Sequence, residues 1–359
     1  MNLKPAYLIG VPSHLLPRPL VIPYSVCINI KSMKKYNVYG VGNALVDLEC
    51  KISTEFLREQ QVAKGLMTLV NEATQQRLLE AMLHHDYERK SGGSAANTMI
   101  AISQLGGRAY YSCKVAADEF GDFYLADMAN AGVQTNLDGQ ARQAGTTGKC
   151  LVMVSEDSDR TMNTFLGISS ELSIQELSPL AIQSSEYVYV EGYLVATEDG
   201  FDAMKKTFSI AEEHGVRSSI TLSDPSIVQA FRPKFQDVIG ASVDLLFCNE
   251  EEAKAYTGAS SLLEAREALK KDAKRFVITM GKNGAMIFDG ETFIDIEPFP
   301  VKAVDTNGAG DMFAGSFLYG ITNGLGYAAS GKLATKAASK VVGQYGPRLS
   351  WQQMHELLK

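Results

Sequence analysis

Asp305-Thr306-Asn307-Gly308-Ala309-Gly310-Asp311 sets two carboxylates on either side of a run of small residues. It leads into Met312-Phe313-Ala314-Gly315-Ser316-Phe317-Leu318, apolar enough for a buried helix. Gly308, Ala309 and Gly310 let the backbone come close to a ligand. A helix start offers free N–H groups and a positive dipole end, which together suit an anion such as phosphate. Asp311 falls on the first turn, beside that anion. A carboxylate there can take the proton of a hydroxyl that attacks phosphorus. The same acids would also serve as plain helix caps after a glycine turn.

Further stretches carry compatible chemistry. Asn249-Glu250-Glu251-Glu252 follows a buried strand and opens a helix. Acids complement the dipole there; alternatively, Asn249 and Glu252 hold Mg2+ and its waters beside a triphosphate. Thr279-Met280-Gly281-Lys282-Asn283-Gly284 joins two strands. Gly281 and Gly284 make either a plain turn or an approach of N–H groups to nucleotide phosphates. Ser91-Gly92-Gly93-Ser94-Ala95-Ala96-Asn97 is again a glycine turn entering a helix, with an amide at Asn97 that can reach back. Asn43 and Asp47 sit where a first strand hands over to a second. They read as turn and surface residues, or as contacts to a polyhydroxylated ligand, since Asp accepts two hydrogen bonds from a diol.

The elements that must position these residues follow a regular pattern. A buried strand at 36–43 ends in a glycine turn, and 44–52 looks extended. A short helix at 55–65, a strand at 67–70 and a helix from Glu72 to His84, capped by Asn71, come next. A helix at 98–106, a strand at 108–116 and a helix at 121–131 follow. Strands at 149–155 and 160–166 then join 46–52 and 67–70 in a small separate sheet. From Tyr187 onward strands and helices alternate, with strands near 187, 218, 245, 276, 285 and 292. Helices at 310–323, 327–343 and 350–358 close the chain. Such alternation implies an α/β fold with a mostly parallel sheet covered on both faces. Ligands of these sheets bind at the carboxyl ends of the strands, where Asn43, Asp224, Asn249 and Gly281 fall.

Two familiar phosphate motifs fail. Gly40-x-Gly42 begins a dinucleotide fingerprint, but Leu45 takes the place of its third glycine. Gly145-Thr146-Thr147-Gly148-Lys149-Cys150 lacks the Ser or Thr after lysine and runs into a strand, so it is no P-loop.

Composition narrows the class. The 359 residues carry a formal net charge of −7 and 45% hydrophobic residues. One large domain is the expectation, without the basic surface that nucleic acid demands. No run reaches the ~18 apolar residues of a membrane span. The five cysteines show no C-x-x-C spacing and read as reduced, buried thiols of a cytoplasmic protein. Residues 1–32, rich in proline, read as a disordered or poorly packed extension, and translation starting at Met33 is the expectation that an N-terminal mass would check.

In chain order, G-G-x-x-x-N at 92–97, N-x-x-E at 249–252, T-x-G-x-x-G at 279–284 and D-T-x-G-A-G-D at 305–311 resemble the PfkB, or ribokinase-like, family of carbohydrate and nucleoside kinases. The resemblance covers about residues 36 to 350. It implies a three-layer α/β/α domain over 33–359 with a small β-sheet lid from about 46–70 and 145–167. It also implies transfer of the γ-phosphoryl group of ATP, with Mg2+, to a primary hydroxyl, and leaves room for a monovalent cation such as K+. By resemblance, Asp311 is the catalytic base and Gly308, Ala309 and Gly310 form the anion hole. Asn249 and Glu252 belong to the magnesium and phosphate motif, with Glu252 toward the metal. Thr279, Gly281, Gly284, Asp305 and Thr306 line the nucleotide side, and Arg160 meets the phosphates. Asn43, Asp47, Gly92, Gly93 and Asn97 face the acceptor. In this family a lid sheet can carry a dimer interface, so a homodimer is compatible.

The acceptor follows less directly. Gly42 to Asp47 and Gly92-Gly93-Ser94 look more like the adenosine-kinase branch than ribokinases, which tend to carry Lys where this chain has Ser94. Asn163 to Gly167 and Glu191 to Leu194 look like that branch too. Phe165 and Tyr193 either stack on a base or sugar face or belong to the core. Adenosine converted to AMP is the expectation, with a ribose- or fructose-type sugar kinase as the alternative. A non-catalytic nucleoside or sugar sensor is the reading of another class; it would not need to keep Asp311.

Overall fold

The computed structural model describes residues 34–65, 67–82, 85–157, 159–240 and 243–359. The extension expected at 1–32, Cys27 and the expected start at Met33 lie outside the described residues. The strands, in chain order, begin with β1 Tyr36–Val41, β2 Leu45–Lys51, β3 Met67–Leu69, β4 Tyr87–Gly92, β5 Ala109–Ser112, β6 Gln134–Thr135 and β7 Thr147–Val154. They continue with β8 Arg160–Gly167, β9 Ser185–Glu191, β10 Arg217–Thr221, β11 Leu245–Asn249, β12 Phe276–Thr279, β13 Ala285–Phe288 and β14 Phe293–Ile296.

Nine of them form a sheet in the order β14-β13-β12-β11-β10-β9-β1-β5-β6. Its interior strand β1 pairs in parallel with both β5 and β9. All residues of β1 are buried because helices cover both faces. Alternation sends Val38, Tyr187 and Tyr189 to one side, into a core with Met99, Phe313, Phe317 and Ala334. Tyr39, Val188 and Val190 go to the other, against Met204, Val228, Phe235 and Ala253. The chain leaves β1 for β5 on one side and returns to β9 on the other, so a crevice opens at the carboxyl ends of β1 and β9.

The remaining five strands form a second sheet, β3-β8-β7-β2-β4. Val46, Leu48, Cys50, Leu151 and Met153 on one face pack with Leu57, Leu78 and Met82. Register fixes which residues share each face: Asp47 pairs with Cys150 and Cys150 with Thr164, while Val46 pairs with Lys149 and Lys149 with Phe165.

Some boundaries depart from expectation. β4 was not anticipated: Tyr87-Glu88-Arg89-Lys90 has no apolar alternation, because it is an edge strand with charged side chains at the rim. The helix expected at 55–65 is Thr54–Glu59, capped by Ser53 and closed by the left-handed Gln61, φ 58°. The helix after Asn71 is Glu72–Met82; residues 83–84 lie outside the described set. Asn71 does cap it, accepting from Thr74 N at 2.9 Å. The helix after Ser261, its N-cap, is Leu262–Leu269. Cys50, Cys113, Cys150 and Cys248 are free and buried. Among the described residues no helix is long and apolar enough to cross a membrane.

Candidate active site

Two helices with glycine starts meet at the crevice. Ala309–Thr322 and Ser94–Gln104 pack with their backbones close: a Cβ on Gly315 would lie 2.6 Å from Thr98 O and 2.8 Å from Ala101 Cβ. Their first turns therefore touch. Ser94 Oγ donates to Asp311 Oδ1 at 2.6 Å, and Asn97 Nδ2 donates to Asp311 Oδ2 at 3.2 Å. Gly308 caps its helix in the left-handed region, φ 73°, and a Cβ there would run into Pro347. Gly310 faces open space, with nothing within 4 Å of an added Cβ. The turn at 308–310 thus presents helix-start N–H groups to an open side, next to Asp311. Burial pushes the Asp311 carboxyl up to about 6, against the pull of Ser94 and Asn97.

A buried carboxylate ties the neighbouring turns together. Glu191, at the end of β9, accepts from Asn43 Nδ2 at 3.0 Å, Asn43 N at 3.3 Å and Ala95 N at 2.9 Å. A Cβ on Gly42 would lie 2.5 Å from Glu191 Oε2, so glycine is needed for this approach. Asn43 also accepts from Tyr111 OH at 2.8 Å through its carbonyl, and from Ser169 Oγ at 3.3 Å through its side chain. Asn43 is thus a hub of the β1 turn. Burial pushes Glu191 up to about 7.

The side chain of Asp47, on β2, makes no hydrogen bond among the described residues. Burial pushes its carboxyl up to about 7, opposed by Arg348 and Arg160 and reinforced by Glu49 and Asp311. Gly92 lies against that carboxyl, and Gly93, φ 103°, against Asn43 O; a Cβ would overlap the neighbour in either place. Both glycines therefore shape the Asp47 side of the crevice.

The third group lies at the ends of β10, β11 and β12. Asn249 caps the helix Glu250–Thr257 in a capping box with Glu252. Asn249 Nδ2 donates to Glu252 Oε1 at 2.7 Å, Asn249 N to Oε2 at 2.9 Å, and Glu252 N to Asn249 Oδ1 at 2.8 Å. Thr279 closes β12 beside Asn249, its register partner. Gly281, φ 53°, faces open space, whereas Gly284, φ 86°, is packed against Ile296 O and serves the turn itself.

Asp305 is buried and does not face outward. It accepts from Asn307 N at 3.0 Å and Gly346 N at 2.8 Å, and pairs with Arg160 Nη2 at 2.8 Å. Thr306, beside it, is exposed. Arg160 also reaches Glu49 Oε1 at 3.3 Å, and its Nη1 is buried without a hydrogen-bond partner among the described residues. Tyr193 is half-buried, its OH 3.5 Å from Ser223 O, with Asp224, Glu191, Asp311 and Glu252 as charged neighbours. Phe165 is not brought to this cluster. The register puts it on the face of Val46 and Lys149, opposite Asp47, with the helices that cover that side.

A model of the pfkB family carbohydrate kinases matches residues 64–354. The chain belongs to the PfkB family. It is a kinase of the ribokinase-like fold. Its relatives span two acceptor classes. A probable sugar kinase from Rhizobium etli is 34% identical over 91% of this chain and 99% of its own, with a TM-score of 0.83. The adenosine kinase from Sinorhizobium meliloti is 33% identical over 90% of this chain and 100% of its own, with a TM-score of 0.82. The adenosine kinase of Saccharomyces cerevisiae is 25% identical over 86% of this chain and 95% of its own.

Within the PfkB chain, sequence reasoning passed over Ser94 as an Asp311 partner, Glu191 as the anchor of Asn43, and Arg348. The residue after the paired glycines was a usable signal for Ser94. Nothing local marks Arg348, which holds Asn97 from 251 residues away. Burial pushes Glu252 up to about 7, and Asp224 and Asp311 add to it, so three acids share one corner. Among the described residues no three His, Cys, Asp or Glu side chains converge to ligate an ion directly. These residues fit a Mg2+ that keeps its waters and leans on phosphate oxygens rather than a protein cage.

Proposed function

We propose that this PfkB kinase transfers the γ-phosphoryl group of ATP to a primary hydroxyl of a nucleoside, adenosine first, giving AMP and ADP. The observation that carries the reading is the Asp311 carboxyl, held by Ser94 and Asn97 on the first turn behind the open Gly310. On this reading residues 33–359 are the kinase domain and the five-stranded sheet is its lid.

Asp311 accepts the hydroxyl proton as in-line attack begins, and Ser94 and Asn97 fix the direction of its lone pairs. The N–H groups at Gly308, Ala309 and Gly310 donate to the oxygens of the transferred group as charge develops. Asp47 orients the acceptor through its other hydroxyls, and Tyr193 covers one side of the crevice. Arg160 Nη1, buried and unpartnered, is a donor suited to a phosphate oxygen. Asn249, Glu252 and Asp224 would hold Mg2+, which would supply charge neutralisation on the triphosphate. Closure of the small sheet excludes water and limits ATP hydrolysis.

The placement of Phe165 favours a second reading. With that ring on the far face, Tyr193 is the one aromatic of the expected pair left for a base, and a sugar needs none. The test is ADP release from Mg·ATP with adenosine, inosine, guanosine, ribose, fructose and fructose 6-phosphate, with Asp311→Asn as control. Turnover on adenosine alone supports the nucleoside reading. Turnover on a free sugar with nucleosides inert replaces it by a sugar kinase, and no turnover on any acceptor favours a binding protein.

A further inference from the structure

Arg348 lies beyond every motif that marks the site, after the last long helix, yet each side of its guanidinium is engaged. Nε donates to Asn97 Oδ1 at 3.1 Å, Nη1 to Asp127 Oδ2 at 2.9 Å and Nη2 to Ser91 Oγ at 2.9 Å. Asp127 is itself held: Ser91 donates to the same Oδ2 through N at 2.9 Å and Oγ at 2.6 Å. Burial alone would raise the Asp127 carboxyl, but Arg348 and Ser91 bring it below the usual carboxylate range. The Asp127–Arg348 pair is therefore a charged anchor between the helix Glu119–Asn130 and the loop at 346–350.

The chemistry of this chain of bonds admits one orientation of Asn97. Arginine has donors and no acceptor, so the amide atom that meets Nε must be the oxygen. An ionised carboxylate has acceptors only, so the atom that meets Asp311 must be the nitrogen. The two ends of the amide thus agree. Without Arg348 nothing on the 348 side distinguishes Asn97 from its flipped form, which would aim a carbonyl oxygen at the Asp311 carboxylate.

We propose that Arg348 is a positioning residue of the kinase: anchored on Asp127, it fixes the Asn97 amide so that Nδ2 always faces Asp311. This rests on the reading of Asp311 as the base. Arg348 touches neither Asp311 nor, on that reading, the reacting atoms; it acts through Asn97. The titratable groups that face Asp311 from the other elements are Asp47 on β2, Tyr189 and Glu191 on β9, Tyr193 in the turn after it, and Glu252 on the helix Glu250–Thr257. All five are acids or phenols and none is a cation, so the Asn97 donor is one of two hydrogen bonds that favour the ionised form against burial, the other being Ser94.

The test is the titration of the Asp311 carboxyl in the full chain labelled with [13Cγ]aspartate, the signal assigned by its loss in Asp311→Asn. Arg348→Lys keeps the charge beside Asp127 but cannot hold three acceptors in one plane. The expected result is an Asp311 titration moved to higher pH by about half a unit or more. Turnover should fall by at least about tenfold, with KM for ATP unchanged. An Asp311 titration identical to that of the wild type overturns the proposal. Should Arg348→Lys not fold, Asp127→Asn, which leaves Arg348 in place but removes the charge that aims it, carries the same measurement and the same two outcomes. Failure of the base assignment is separate: it would appear as retained turnover in Asp311→Asn, whatever Arg348 does to the carboxyl.

Discussion

Gly92 lies directly against the Asp47 carboxyl: a Cβ on Gly92 would stand 2.5 Å from Asp47 Oδ2. The two come from adjacent antiparallel strands, with Leu45 opposite Gly92 and Asp47 opposite Lys90. Gly92→Ala must therefore move Asp47, since one more carbon cannot share that space. The expected outcome is a KM for the acceptor raised at least about tenfold, with KM for ATP unchanged. Steady-state kinetics against each substrate decide it, and an unaltered acceptor KM would remove Asp47 from the acceptor site.

Gly308 and Gly310 separate folding from chemistry. Gly308→Ala meets both a left-handed backbone and Pro347, whose Cα lies 2.7 Å from the added carbon. It should lose stability on the order of 1–3 kcal/mol, read as a lower thermal midpoint. Gly310→Ala meets nothing and should fold as the wild type. Its methyl would crowd the open side of the turn, so kcat should fall while the midpoint holds. Normal kcat in a normally folded Gly310→Ala would argue against an anion at that turn.

Asp311→Asn keeps the shape and the partners of the side chain but cannot accept the proton. Turnover should drop by about 10²–10⁴-fold, whereas ATP binding measured by calorimetry stays near the wild-type value. Wild-type-like turnover would sink the base assignment.

The acids of the crevice set a pH signature. Burial holds the Asp311 carboxyl at about 6, so the proposed base is ionised above that pH and kcat/KM should fall as pH drops through about 6. Stability should run the other way. Asp47, Glu191 and Glu252 at about 7, with Asp311, keep protons in the folded state that the unfolded chain has already lost. Their contribution is complete at low pH and is lost as pH rises through those values. Carboxyls held low, such as Asp118 and Asp127, are ionised in both states across this window and do not offset the trend. From pH 6 to 8 the ligand-free protein should lose on the order of 1 kcal/mol for each raised group. A thermal midpoint that climbs over that range would contradict the burial of these acids.

Much of this is legible in the sequence. The run from Asp305 to Asp311 announces itself because glycine at 308 answers a left-handed backbone, and apolar runs such as Tyr36–Val41 mark strands covered on both faces. What was not legible depends on partners far along the chain. Glu191 is one acid at the end of an apolar strand; only Asn43 and Ala95 give it a role. β4 hides behind charged residues because edge strands need them. Asp305 and Asp311 look equivalent in sequence, yet one is consumed by Arg160, Asn307 and Gly346 and the other faces the crevice. Phe165 misled because strand parity is set by register, and register is a property of the assembled sheet.

Asp47 stands on the five-stranded sheet, in register with Cys150 and Thr164, whereas Asn249 ends a strand of the nine-stranded one, Gly281 lies in a turn of it, and Asp311 lies on a helix that packs against it. On the proposed reading the smaller scaffold thus carries one contact to the alcohol, Asp47, and the larger one carries the base. On that reading, a designer seeking a new acceptor can redraw one face of the smaller scaffold at 47, 150 and 164 and leave Asp311 untouched. Natural drift can take the same route, changing diet without relearning how to move a phosphate.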